Sequence, residues 1–106
     1  MRTPAIVLGI AVLLVSGCTQ KEPIRLGFLG GLTGRVADLG EAGRDGTLFA
    51  IEEVNAAGGV NGRSVELLIQ DDQQDAKTAA QATQTLLDAR VDAIIGPMTS
   101  AMGEAV

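Results

Sequence analysis

The chain is short, at 106 residues enough for one small domain, and acidic, with 13 Asp and Glu against 8 Lys and Arg. That balance disfavours a nucleic-acid partner, whose phosphates need basic groups to neutralise them. Phe28 and Phe49 are the only aromatics, too few to stack bases, and with no histidine neither His-ligated zinc nor Ser-His-Asp or Cys-His catalysis can be built from these residues.

The chain opens with Arg2, then an uncharged apolar run over residues 5–15 broken only by Gly9, then Ser16 and Gly17 before Cys18. Positive, apolar, small is the order of a secretory signal peptide. As a helix, residues 5–15 would rise about 16 Å against a hydrocarbon core of roughly 30 Å, so they do not span a membrane. Val15-Ser16-Gly17-Cys18 resembles the lipobox of bacterial lipoproteins. The resemblance implies a diacylglycerol on the Cys18 thiol and a cleavage that makes Cys18 the first mature residue. One acyl chain anchors marginally and two suffice. The alternatives are an export signal without lipid and a buried structural cysteine. Cys18 is the single cysteine, so an intrachain disulfide is impossible. Losing residues 1–17 removes Arg2 and leaves the mature chain more acidic still.

Residues 18–23 are polar and read as a tether. Residues 24–29 are an apolar run ended by Gly30-Gly31, the pattern of a buried strand. Residues 30–39 form a loop centred on Thr33-Gly34. A helix is predicted from residue 40 or 41 to 57, with Leu48, Ile51 and Val54 at spacing three and Phe49 and Ala50 widening the stripe. Gly58-Gly59 ends it, because glycine closes a helix in the left-handed conformation at little steric cost. Asn61-Gly62 marks a turn, and residues 64–70 make a second strand. After the polar loop 71–74, Asp75 is placed to cap a helix running from 76 to about 90. Its inner face is Ala79, Ala82, Thr83 and Leu86, with Leu87 at the flank. Residues 91–96 form a third strand, 97–100 a loop, and Ser100 reads as the cap of a helix beginning at Ala101.

Alternating strands and helices of this kind make parallel βαβ units with right-handed crossovers. The expected fold is an open α/β sheet with the first strand between the second and third. Three strands and one turn of a third helix leave apolar surface uncovered, and a domain this small is marginal. The chain is therefore expected to be a fragment that folds poorly by itself. In such sheets ligands bind outside the carboxyl ends of the strands, where strand order reverses, here at loops 30–39 and 97–100. A helix starting at Ser100 offers free N–H groups and a positive dipole end to a carboxylate. Equally, the pattern alone allows Ser100 to be only a cap and Thr33-Gly34 only a turn. Gly27, Gly30, Gly31 and Gly34 do not run directly into a helix as a dinucleotide fingerprint must, and no G-K-[ST] follows. No cofactor and no metal are expected.

Residues 24–34 (IRLGFLGGLTG), 40–42 (GEA), 50–63 (AIEEVNAAGGVNGR), 71–73 (DDQ) and 94–97 (IIGP) resemble the opening of the Leu/Ile/Val-binding type of periplasmic binding proteins. These are two-lobed type I receptors of ABC importers. The resemblance covers nearly all of residues 24–103, with the string at 55–63 its most specific part, and reaches only the first part of the first lobe. It implies that residues 24–106 are a partial amino-terminal lobe. A serine in the loop after the third strand contacts the main-chain carboxylate of the solute in that family, and Ser100 matches it, with Thr99 adjacent. The first loop, which holds Thr33, carries a residue near the ligand that is often aromatic in amino-acid binders; Leu39 stands there. Asp71 and Asp72 match as well, and we read them as loop and capping residues rather than a working carboxylate pair.

The implied function is capture, without bond making or breaking, of a small polar ligand such as a branched-chain or other amino acid or an amide. The second lobe closes over the ligand and the closed form docks on an ABC permease. The implied location is extracytoplasmic, held at the membrane through Cys18. Two alternatives are a sensing module of the same fold in signalling and an enzyme of flavodoxin-like or Rossmann-like architecture. The glycine spacing, the lack of histidine and the lipobox disfavour the enzyme.

Overall fold

A computed structural model describes residues 19–106; Cys18 and the signal-like segment before it lie outside the described residues. The element order is β1 (Ile24–Gly30), α1 (Ala37–Ala56), β2 (Val65–Asp71), α2 (Ala76–Asp88), β3 (Ala93–Ile95) and α3 (Ser100–Gly103). The three strands form one sheet in the order β2-β1-β3. Both pairings are parallel, with Ile24 opposite Val65 through to Gly30 opposite Asp71, and Leu26 opposite Ala93 through to Phe28 opposite Ile95. The open α/β sheet with a central first strand is the architecture that the element pattern predicts.

β1 sits between its neighbours and is buried from Gly27 to Gly30, which is why it reads as a continuous apolar run and not as an alternation. Consecutive side chains on a strand point to opposite faces, and the contacts of β1 sort the helices accordingly. Gly27 lies under Leu86 of α2, where an added Cβ would stand 2.9 Å from Leu86 Cδ1. Phe28 turns the other way, toward Gly43 of α1. The helices therefore cover opposite faces, as right-handed crossovers produce when the chain first steps to one side of β1 and then to the other.

The α2 face is the packed one. Leu29, Ala82 and Leu86 form its core, with Leu68, Val91 and Ile94 against them. Asp75 caps α2 as expected, Oδ2 accepting from Thr78 N at 2.8 Å and from Thr78 Oγ1 at 2.8 Å. These bonds, led by the Thr78 amide, hold the Asp75 carboxyl below its ordinary pKa. Of the predicted inner face, Ala79, Ala82 and Leu86 are buried, Thr83 is half-buried and Leu87 is exposed.

α1 departs from its prediction in two ways. It starts at Ala37, earlier than residue 40, because Val36 occupies the N-cap without any side-chain bond and so leaves no capping signal to read. Its apolar stripe is also not a core face: Leu48, Phe49 and Val54 are exposed and Ile51 half-buried. The residue that does pack is Gly40, against Gly31, where a Cβ would run into the Gly31 carbonyl. This backbone approach brings α1 down at its amino-terminal end. Farther along, Leu26, Ala50, Ile51, Val54 and Ile95 border an open apolar groove of about 550 Å³ between helix and sheet. α1 ends at Gly58-Gly59 as predicted, both with positive φ.

Residues 21–23 lie along the turn before β2. Arg63 Nε donates to the Glu22 carbonyl at 2.8 Å, and Lys21 Nζ to the Asn61 carbonyl at 3.1 Å. Among the described residues no helix is long and apolar enough to cross a membrane.

Candidate functional site

Parallel strands in the order β2-β1-β3 deliver three loops to one edge of the sheet. They are residues 31–36 after β1, 72–75 after β2, and 96–99 after β3. Strand order reverses between β1 and β3, the place where open α/β sheets bind ligands. Here the loop after β3 is drawn in tightly. Gly96 has φ +117° and its Cα faces the Leu29 carbonyl, so that a Cβ would collide with it. Met98 then lies over Gly30 and Gly43, wedged between β1 and α1.

The first loop is held by Asp71. Its Oδ1 accepts from Leu32 N at 2.8 Å and Gln73 N at 2.9 Å, and its Oδ2 accepts from Thr33 Oγ1 at 2.7 Å. Burial pushes the Asp71 carboxyl upward, but the bonds from Thr33, Leu32 and Gln73 outweigh it and hold it below its ordinary 3.8. Thr33 is exposed, with its hydroxyl proton committed to Asp71. Asp72 is fully buried. Its Oδ1 accepts from both Gln74 N at 2.8 Å and Gln74 Nε2 at 2.9 Å, and its Oδ2 has no hydrogen-bond partner. The two aspartates are loop-building residues, and helix capping in this segment falls to Asp75.

The loop after β3 corrects one expectation. Ser100 is the first residue of α3, not its cap; Thr99 holds the N-cap position in extended conformation, without a side-chain cap bond. Thr99 makes no cap bond because its hydroxyl is used elsewhere, donating to Gln74 Oε1 at 3.1 Å. Ser100 is exposed and Thr99 half-buried. Leu39 is 49 % exposed, and α1's early start places it in that helix's first turn rather than in a loop. Ser100, Thr99, Thr33 and Leu39 thus all belong to the two segments that follow β1 and β3; Thr33 is tied to Asp71 at the end of β2 and Thr99 to Gln74 in the loop after it.

Sequence reasoning missed Gln74. It bonds to Asp72 and Thr99 and lies against Gly31, where an added Cβ would sit 3.0 Å from Gln74 Nε2. Gln73 and Gln74 both have positive φ, 51° and 54°, a conformation that glutamine gives no hint of. The one available signal was Asp72 two residues before a side chain with an N–H to offer.

The apolar groove under α1 is a poorer candidate. Its border carries one polar side chain, Thr47, whereas solute sites need several converging polar groups to fix orientation. Among the described residues no cluster of His, Cys, Asp and Glu is placed to hold a metal ion.

The model of a family described as periplasmic binding protein matches residues 23–106. The leucine-, isoleucine-, valine-, threonine- and alanine-binding protein of Pseudomonas aeruginosa is 38% identical over 79 residues, 74% of this chain and 21% of that protein. The branched-chain amino acid transporter substrate-binding protein LivJ of Streptococcus pneumoniae, solved with isoleucine, superposes with a TM-score of 0.76 at 34% identity. It covers 78% of this chain and 24% of that one. A fatty acid ABC transporter substrate-binding protein from Thermomonospora curvata superposes with a TM-score of 0.73 at 36% identity, covering 80% of this chain and 22% of that one. The chain spans about a fifth to a quarter of the length of these relatives.

Proposed function

Because the chain belongs to the periplasmic binding protein family, we propose that the full-length protein is an extracytoplasmic receptor of an ABC importer that captures a small amino acid. Residues 24–106 supply part of the first lobe. The solute's carboxylate docks on Ser100 and the opening amides of α3, next to Thr99, with Thr33 and Leu39 on the neighbouring segment. A second lobe closes over it, and the closed form is read by a membrane permease. Residues 1–17 direct export, and a lipidated Cys18 followed by a tether to residue 23 keeps the receptor at the membrane. The mass of the mature amino-terminal peptide tests that anchor: an unmodified Cys18 thiol would remove it.

The observation that carries the reading is the reversal of strand order between β1 and β3. It brings the glycine-rich first loop and an exposed serine that opens a helix to the same edge of the sheet, and the first N–H groups of that helix lack partners within it. Calorimetry on the full-length gene product should detect binding of L-leucine, L-isoleucine, L-valine, L-alanine or L-threonine. Ser100→Ala should weaken it by about 1 to 3 kcal/mol, on the order of ten- to a hundred-fold, as a donor to a charged acceptor is lost. Unchanged affinity would reject the role of Ser100.

The exposed Leu39 favours one second reading within the same chemistry. An exposed apolar side chain on the segment that follows β1 suits a longer aliphatic acid, the ligand class named for the Thermomonospora relative. Octanoate in the same titration separates the two, because an amino-acid site that also grips the ammonium group should reject it.

A further inference from the structure

Resting on the proposal that the loop after β3 receives a carboxylate, we propose that Gln74 is a positioning residue that sets this loop, and that Thr99 works as its anchor and not as a donor to the ligand. Each bond in the chain has a fixed direction. Asp72 Oδ1 receives the Gln74 Nε2 hydrogen at 2.9 Å, so the Gln74 amide presents its oxygen at the other end. That oxygen receives the Thr99 hydroxyl hydrogen at 3.1 Å. A threonine hydroxyl has one hydrogen to give. Having given it to Gln74, Thr99 meets any incoming group with lone pairs only and cannot donate to a carboxylate, which leaves Ser100 and backbone N–H groups as the donors. Thr99 contributes through its place in the chain, directly before Ser100.

The setting supports a strut. Asp72 is fully buried and fixed at its own loop by the Gln74 amide, so its end of the relay is anchored. The Gln74 side chain passes over Gly31, where an added Cβ would sit 3.0 Å from Nε2, tighter than an ordinary contact. One side chain therefore touches the loops after β1, β2 and β3. Gln74 itself sits at φ +54°, a region costly for a residue with a Cβ. The surrounding bonds hold it there.

The test compares variants of the full-length gene product, titrated with L-isoleucine. Gln74→Met keeps the length of the side chain and removes its bonds to Asp72 and Thr99; because the Thr99 bond is the one that sets the loop, Kd should rise about tenfold, the effect of that one hydrogen bond. Thr99→Val should cost about the same, and Thr99→Ser, which keeps the hydroxyl, should stay within about twofold. If Gln74 acts through Thr99, adding Gln74→Met to Thr99→Val should cost less than about twofold more. Ligand-free hydrogen exchange at residues 98–102 should be faster in Gln74→Met, which reports the strut even where binding is lost. Independent, multiplying effects, or an affinity unchanged by Gln74→Met while Ser100→Ala weakens it, would overturn the strut and leave the site standing. If wild type binds none of the amino acids, the site reading falls; unchanged exchange at 98–102 then removes the strut as well, and faster exchange upholds Gln74 as the residue that sets the loop.

Discussion

The two helices that flank β1 are built on different principles. α2 buries Ala79, Ala82 and Leu86 at 0%, 5% and 0% exposure and is joined to the sheet by side-chain packing. α1 is longer, yet Gly40 is its one buried residue, and Phe49 is 62% exposed. The approach to α1 is fixed by backbone contact at Gly31 and by polar bonds from Asp71. Apolar periodicity is thus necessary for a buried helix face without being sufficient: a stripe is buried only where another element reaches it.

The comparison breaks most sharply at Leu86. It fills the space over Gly27 and joins the cluster with Leu29 and Ala82. Truncation there removes transfer free energy and leaves a cavity, so Leu86→Ala should destabilise the full-length protein by about 2 to 5 kcal/mol. Urea unfolding followed by circular dichroism measures it. A loss below about 1 kcal/mol would show that the α2 face is not the stabilising one.

Much of this fold is legible in the residues. The run at 24–29, the glycine pairs at 30–31 and 58–59 and the Asp75 cap each act locally, so each leaves a local trace, and the β2-β1-β3 order follows from their succession. The burial of α1 and the site loops are not local. Whether Leu48 or Phe49 is covered depends on elements distant in sequence. The commitment of the Thr99 hydroxyl depends on Gln74, 25 residues away, so no local pattern reveals it. Asp71 and Asp72 could be placed in a loop from sequence, but which amides each would accept could not.

A smaller effect separates the polar fastening of the first loop from the packed α2 face. The bonds from Thr33, Leu32 and Gln73 depress the Asp71 pKa against the opposing pull of burial. A carboxyl with a lowered folded-state pKa contributes stability that is complete above its unfolded value, near 3.8, and is lost as pH falls through the lower folded value. Partial exposure screens the gain, so acidification from pH 5 to below 3 should cost on the order of 1 kcal/mol or less through this group. Comparing wild type with Asp71→Asn isolates it: the difference between them should shrink over that interval. A difference that grows on acidification would reverse the assigned sign.

The smallest change is expected on the exposed stripe of α1. Phe49→Ser removes a large apolar side chain that is mostly in water already, so little transfer free energy is lost and no cavity forms. The helix propensity of serine is close to that of phenylalanine. The full-length protein should therefore change by no more than about 0.5 kcal/mol, as surface substitutions do, an order of magnitude below the upper figure for Leu86→Ala. The same urea titration decides it. A cost above about 2 kcal/mol would mean that the α1 stripe is covered when the chain folds in solution, and the contrast between the two helices would then lie in what covers each and not in whether it is covered.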